Sequence, residues 1–137
     1  MAEGRGQRAE GKKWQLAKTG FFALEDLEIY QLSVELAYEV YKLVKSFPDD
    51  EKYALTSQLK RASTSVTLNI AEGRGRGSDK DFAKFLFQAR GSLLEVVAGF
   101  HLAERFGYIQ RDHTQPIYAT ANDLASKLTA FIKTLGG

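Results

Sequence analysis

The chain has 137 residues, no cysteine and a formal net charge of +2. That length suits one domain with its own core, and the missing cysteines exclude disulfides, thiolate metal sites and cysteine nucleophiles. The small net charge removes any argument for nucleic-acid binding from bulk charge, so such an argument must rest on where the basic residues cluster.

Residues 1–20, MAEGRGQRAEGKKWQLAKTG, are rich in Gly, Lys and Arg, with Trp14 and Leu16 as the sizeable apolar groups. That is too little apolar surface to offset the entropy of ordering, so a mobile basic tail is expected. The tail lacks the apolar core of a secretory signal, and no later run approaches the roughly 20 apolar residues of a membrane span, so a cytoplasmic protein without membrane contact is expected.

From Phe21 the pattern becomes helical, and residues 21–137 read as one bundle domain. Ile29, Leu32, Leu36, Val40, Leu43 and Phe47 form one row, and Tyr30, Val34, Ala37, Tyr41 and Val44 the next, which predicts a first helix from about Glu25 to Ser46. Pro48 should stop it, with Asp49 or Asp50 as N-cap of a second helix whose first-turn Glu51 suits the helix dipole. The second helix carries Leu55, Leu59, Ala62, Val66 and Ile70 on one face. Its stretch Thr64 to Ile70 is β-branched and alternating, as in a strand, but the longer helical period continues through it.

Glycines at 73, 75 and 77 can supply positive φ angles for a chain reversal. Ser78 should cap a third helix with the apolar row Phe82, Phe85, Ala89, Leu93, Val96, Phe100 and Ala103, ended by Gly107. After a turn around Arg111 to Pro116, a fourth helix shows Ile117, Ala121, Leu124, Leu128, Phe131 and Leu135 and ends at Gly136. Four long helices with short connections make an all-α, up-down-up-down four-helix bundle.

Helix three has a second row, Phe87, Gly91, Leu94, Ala98 and Leu102, nearly opposite the first. Every helix of a four-helix bundle has an outward face, so this row points to contact between subunits. Gly91 and Ala98 would let another helix approach closely, offsetting the roughly 1 kcal/mol that Gly costs inside a helix.

On helix two a polar row, Gln58, Arg61, Ser65, Asn69 and Glu72, shares one side. Ser65 and Asn69 can satisfy each other at a bundle seam, and Arg61 can pair with a carboxylate such as Glu95. The basic residues Arg61, Arg74, Arg76, Lys80 and Lys84 are candidate phosphate contacts, with guanidinium forks at Arg74 and Arg76 flanking the turn. A symmetric oligomer would multiply them into a ring. Asp79 and Asp81 lie in the same stretch and counter that charge.

Catalytic patterns are missing from the sequence. His101 and His113 are the two histidines, there is no Glu-x-x-His pair, HExxH or G-x-S-x-G, and residues 73–80 lack the GK[ST] ending of a P-loop. Glu28, Glu35 and Glu39 read as a solvated helix face. No enzyme activity, cofactor or metal is therefore expected.

The segments LEIYQLSVELAYEVYKLVKSFP, EKYALTSQLKRASTSVTLNIAEG and FAKFLFQARGSLLEVVAGFHLAERFGYI together resemble the 23S rRNA intervening-sequence protein family, over roughly Phe22 to Leu135. Gln58, Leu59, Arg61, Ala62, Ser65, Asn69, Ile70, Ala71, Glu72 and Gly73 occupy its signature positions. Thr67 and Leu68 depart from it where many relatives would have a proline. The resemblance implies a four-helix bundle that assembles into a homopentameric ring. The family is also similar in fold to the accessory variability protein of diversity-generating retroelements, a basic pentamer that binds nucleic acid and partners a reverse transcriptase. Two readings follow: an oligomeric accessory protein that binds RNA or DNA, or a scaffold whose arginines recognise carboxylates of a protein partner.

Overall fold

The computed structural model describes residues 15–137. The mobile tail expected over residues 1–20 lies mostly outside them. Residues 18–20 are tied to the first helical turn instead, because the Glu25 carboxylate accepts from the Thr19 N–H and hydroxyl, both at 2.7 Å, and from the Gly20 N–H at 3.1 Å.

Among the described residues there are four α-helices and no strand. They are α1 (Glu28–Leu43), α2 (Leu55–Arg74), α3 (Asp79–Phe106) and α4 (Arg111–Thr134). Short 3-10 turns at Ala23–Asp26, Val44–Ser46 and Asp49–Glu51 flank α1 and lead into α2. α1 packs on α2 and α4, and α3 packs on the same two, so four antiparallel helices close around one core. None of the described helices is long and apolar enough to cross a membrane.

The buried positions are those of the helical rows. Leu36 and Val40 from α1, Leu59, Val66 and Ile70 from α2, Leu86, Leu93, Val96 and Phe100 from α3, and Ile117, Leu124 and Leu128 from α4 are fully buried. The strand-like stretch is helical: Val66 and Ile70 point inward while Leu68, between them, is 65% exposed. Alternation along the chain therefore becomes inside and outside of one helix.

Close approach of α2 and α3 depends on two buried glycines. A Cβ on Gly99 would stand 2.4 Å from Leu59 Cδ2, and one on Gly73 would stand 2.9 Å from both Phe82 and Phe85. Gly73 thus belongs to the helix seam and not to the reversal expected of it. None of the glycines at 73, 75 and 77 has a positive φ; α2 ends instead by tightening, with the Gly75 N–H bonded to Ala71 and Glu72 carbonyls and Arg76 N–H to Gly73. At the other end of α3, Gly107 does take φ 83°, with the N–H groups of Gly107 and Tyr108 bonding Glu104 and Ala103 carbonyls, a Schellman closure.

Three boundaries differ from expectation. α1 is shorter, because Leu27 is extended before it and its far end tightens into the 3-10 turn Val44–Ser46 ahead of Phe47, which Pro48 holds extended. Neither Asp49 nor Asp50 caps α2; the helix starts at Leu55, whose N–H is accepted by Glu51 Oε1 at 3.1 Å. α4 begins at Arg111 with Pro116 inside it. The missing amide of Pro116 removes one bond to Asp112 near the helix start, a loss that tertiary anchoring of the first turn offsets. Ser78 caps α3 as the sequence indicates, its Oγ accepting the Asp81 N–H at 3.1 Å.

Candidate functional site

The N-terminal turns of α3 and the α2–α3 connection bring together Arg74, Arg76, Lys80 and Lys84, with Glu72, Asp79 and Asp81 beside them. Lys80 and Lys84 continue, at spacings of three or four residues, directly into Phe87, Gly91, Leu94, Ala98 and Leu102. All seven side-chain positions are exposed, with Phe87 at 44%, Leu94 at 60% and Leu102 at 47%. One stripe of α3 therefore runs from two ammonium groups into an apolar face that points out of the bundle. Gly91 fits no internal need, since a Cβ there meets nothing within 4 Å.

Lys80, Lys84 and Phe87 border an open groove of about 810 Å³, closed on its far side by Leu135, Gly136 and Gly137. Among the described residues Lys80, Lys84 and Arg74 make no ion pair. Arg76 is partly neutralised: it lies 3.1 Å from Glu72 and stacks over the Phe85 ring at 4.8 Å. Asp79 and Asp81 in the first turn of α3 suit its dipole and lower the local charge.

Arg61 is not part of this cluster. It stands about 20 Å along α2 from Arg74 at ~1.5 Å per residue. Its guanidinium donates to Ser57 Oγ at 2.6 Å and Gln58 Oε1 at 3.1 Å, and not to Glu95.

The polar row of α2 divides by function. Ser65 Oγ lies 3.0 Å from Ser92 Oγ on α3, and Asn69 Nδ2 donates to the Ser65 carbonyl and hydroxyl at 2.9 and 3.0 Å. Ser65 and Asn69 are thus an internally satisfied helix seam. Gln58 holds Arg61, and Glu72 holds Arg76.

A carboxylate cluster that periodicity could not reveal sits at the opposite end. Glu104 near the end of α3 accepts from Tyr118 Oη, from Thr114 Oγ1 at 2.7 Å and from Arg111 Nε at 2.8 Å, all on the first two turns of α4. The Tyr118 and Thr114 hydroxyls, with Arg111, hold its carboxyl down at about 2 against the opposing effect of burial. Burial first, and the bond to Glu104 second, push the Tyr118 phenol up to about 12. Glu51 similarly accepts from Tyr108 Oη at 2.6 Å, which lowers the carboxyl and raises the phenol. The sequence does carry a faint signal for Glu104: Thr114 and Tyr118 are four residues apart and share a face of α4.

His101 is exposed and edge-on to Tyr118, and His113 is exposed beside Asp112. Among the described residues no three metal-ligating side chains gather.

Residues 25–130 match the family model described as 23S rRNA-intervening sequence protein. The fold is similar to a solved structure from Bacteroides thetaiotaomicron, described as a protein with unknown function from the S23 ribosomal protein family. The two share 26% identity and a TM-score of 0.71, over 77% of this chain and 95% of that one. No curated protein matches the chain.

Proposed function

Because the chain belongs to the 23S rRNA-intervening sequence protein family, we propose that it is a non-enzymatic, self-associating accessory protein of the cytoplasm that binds nucleic acid through phosphates. The observation that carries this reading is the α3 stripe, in which Lys80 and Lys84 run directly into an outward apolar row. Copies that associate along Phe87, Gly91, Leu94, Ala98 and Leu102 bring their lysines together, along with Arg74 and Arg76 at the neighbouring turn. A local field arises that the net charge of +2 conceals. Such contacts are largely indifferent to base sequence and strongly dependent on salt.

In its finer form the proposal is a homopentameric ring serving as the accessory subunit of a reverse transcriptase in a diversity-generating retroelement. It rests on the resemblance in fold between this family and the accessory variability protein. A protein scaffold is the second reading, favoured by the mixed charge of the turn, where Glu72 already occupies Arg76.

Native mass spectrometry of the full chain, with short RNA and DNA at low and moderate salt, tests the proposal. A pentamer that gains nucleic acid at low salt and releases it as salt rises is the expected result. A pentamer that gains none favours the scaffold, and a monomer removes the ring.

A further inference from the structure

We infer that the outer face formed by α1 and the start of α2 binds single-stranded nucleic acid, with the rings of Tyr38, Tyr41 and Tyr53 stacking its bases and Lys42, Lys52 and Lys60 holding its phosphates. The inference shares nucleic-acid binding with the function proposed above but rests on neither the α2–α3 turn nor the outward row of α3.

Tyr38, Tyr41, Lys42 and Lys45 recur at spacings of three and four residues, and all four are exposed. The buried side of α1 carries Ile29, Ser33, Leu36 and Val40, so these four crown the side turned away from the core. Tyr53, just before α2, is 87% exposed, against 50% for Tyr38 and 40% for Tyr41. Tyr108 and Tyr118 serve the bundle through hydroxyls bonded to Glu51 and Glu104; the three outward tyrosines are distinguished by what covers their rings. Lys42 Nζ stands over the Tyr38 ring at 5.4 Å, Lys60 Nζ over Tyr41 at 5.0 Å and Lys52 Nζ over Tyr53 at 5.4 Å.

Among the described residues, Lys42, Lys45, Lys52 and Lys60 make no ion pair. Glu39 lies on the same side of α1 as Glu28, which reaches Lys127 of α4, whereas the contact with Lys60 places Tyr41 on the side of α2. Glu35 before Tyr38, and Asp49 and Asp50 between the helices, bound the patch.

An ammonium over an exposed ring is held weakly, so each pair separates into two binding elements. The ammonium can take a phosphate oxygen and the vacated ring face a base, the combination on which sequence-tolerant single-strand sites are built. A duplex keeps its base faces within its own stack and offers this surface phosphates alone. An acidic peptide satisfies the lysines but leaves the three rings uncovered.

Fluorescence anisotropy of labelled oligouridine, oligothymidine and a duplex of the same length, titrated with the full chain at low salt, tests this; the two single strands tell RNA from DNA. Replacing Tyr38, Tyr41 and Tyr53 together by Ala should weaken binding of at least one single strand by about fivefold or more, the lower end expected for one lost stacked base, while duplex binding stays unchanged. Phe at the same three positions should bind as wild type does, because the ring and not the hydroxyl stacks. Lys42→Gln with Lys60→Gln should lower the slope of log affinity against log salt by about 1–1.5 on the single strand, and the alanine variant should leave that slope unchanged. No loss in the alanine variant, an equal loss on the duplex, or an unchanged slope in the lysine variant overturns the inference and leaves phosphate binding at the α2–α3 turn standing; a chain that binds no nucleic acid overturns both. Tyr53→Ala alone removes a side chain that faces water and spares the fold, so it must show the same selective loss. Unchanged single-strand affinity in that variant overturns the inference even if the triple variant fails to fold.

Discussion

Replacing Glu104 by Gln keeps its shape and removes the charge on which three donors converge. The carboxylate is 14% exposed, and Thr114 beside it is fully buried, so the bonds from Thr114 and Tyr118 form away from bulk water. A hydrogen bond to a charged acceptor contributes about 1.5–3 kcal/mol, and a buried donor left unsatisfied costs a similar amount. The two hydroxyls share one acceptor and are not additive. Arg111 is 67% exposed and its contribution is screened. Glu104→Gln should therefore destabilise the bundle by about 2 kcal/mol, or about 8 °C in Tm at about 4 °C per kcal/mol for a domain of this size.

The effect should depend on pH in one direction. The folded carboxyl titrates at about 2 against an ordinary value of 4.5. Between these values the unfolded chain binds more protons, so stability rises with pH. The contribution is fully present above pH 4.5 and disappears as pH falls through about 2. Thermal melts of both proteins followed by circular dichroism from about pH 2 to about pH 7 should show a gap that is widest at neutral pH and closes in acid. Equal Tm values at neutral pH, or a gap of constant size down to the acid limit, would refute the assignment of Glu104 as the anchor of α4.

Phe87→Glu or Leu94→Glu should split the oligomer while leaving far-UV circular dichroism unchanged, since each places a charge in the apolar stripe; light scattering after size exclusion checks it, and unchanged mass removes that interface. Replacing Arg74 and Arg76 together by Ala should weaken nucleic-acid binding and lower the slope of log affinity against log salt by about 1–2, the smaller value applying if Glu72 already neutralises Arg76. Unchanged affinity in filter binding across a salt series would return the turn to a solvated surface. Gly99→Leu should lower stability by about 2–3 kcal/mol, because a side chain there collides with buried Leu59; a urea midpoint equal to wild type would show that α2 and α3 are not held at this distance.

Helix identity was legible in the sequence because the apolar period persists for many turns, and the rows of α3 came out on the faces their spacing requires. Boundaries were less legible where tertiary contacts override local signals. Pro116 reads as the end of a turn that precedes α4, yet Glu104 reaches across from α3 to secure Arg111 and Thr114 and lets α4 start before it. Asp49 and Asp50 look like caps, but Glu51 serves the first amide of α2 from outside the helix. Gly73 looks like a turn residue because glycine in a sequence does not reveal whether its φ or its lack of a side chain is required. Helical spacing marked the exposed row of α3 as surplus, and the Ser65–Asn69 seam was readable from an i,i+4 pair. The Glu104 cluster was not, since three donors separated from it in sequence meet only once α3 and α4 are antiparallel.

The two carboxylate clamps, Glu51 and Glu104, lie at the end of the bundle away from Arg74, Lys80 and Lys84. Along α3, Lys80 and Glu104 are separated by about 36 Å at ~1.5 Å per residue, well beyond the range over which substitutions usually influence each other. These proposed phosphate contacts and the carboxylate clamps are thus spatially partitioned. Charges at one end can therefore be exchanged, and the phosphate contacts proposed there with them, without disturbing the latch that secures α4 at the other.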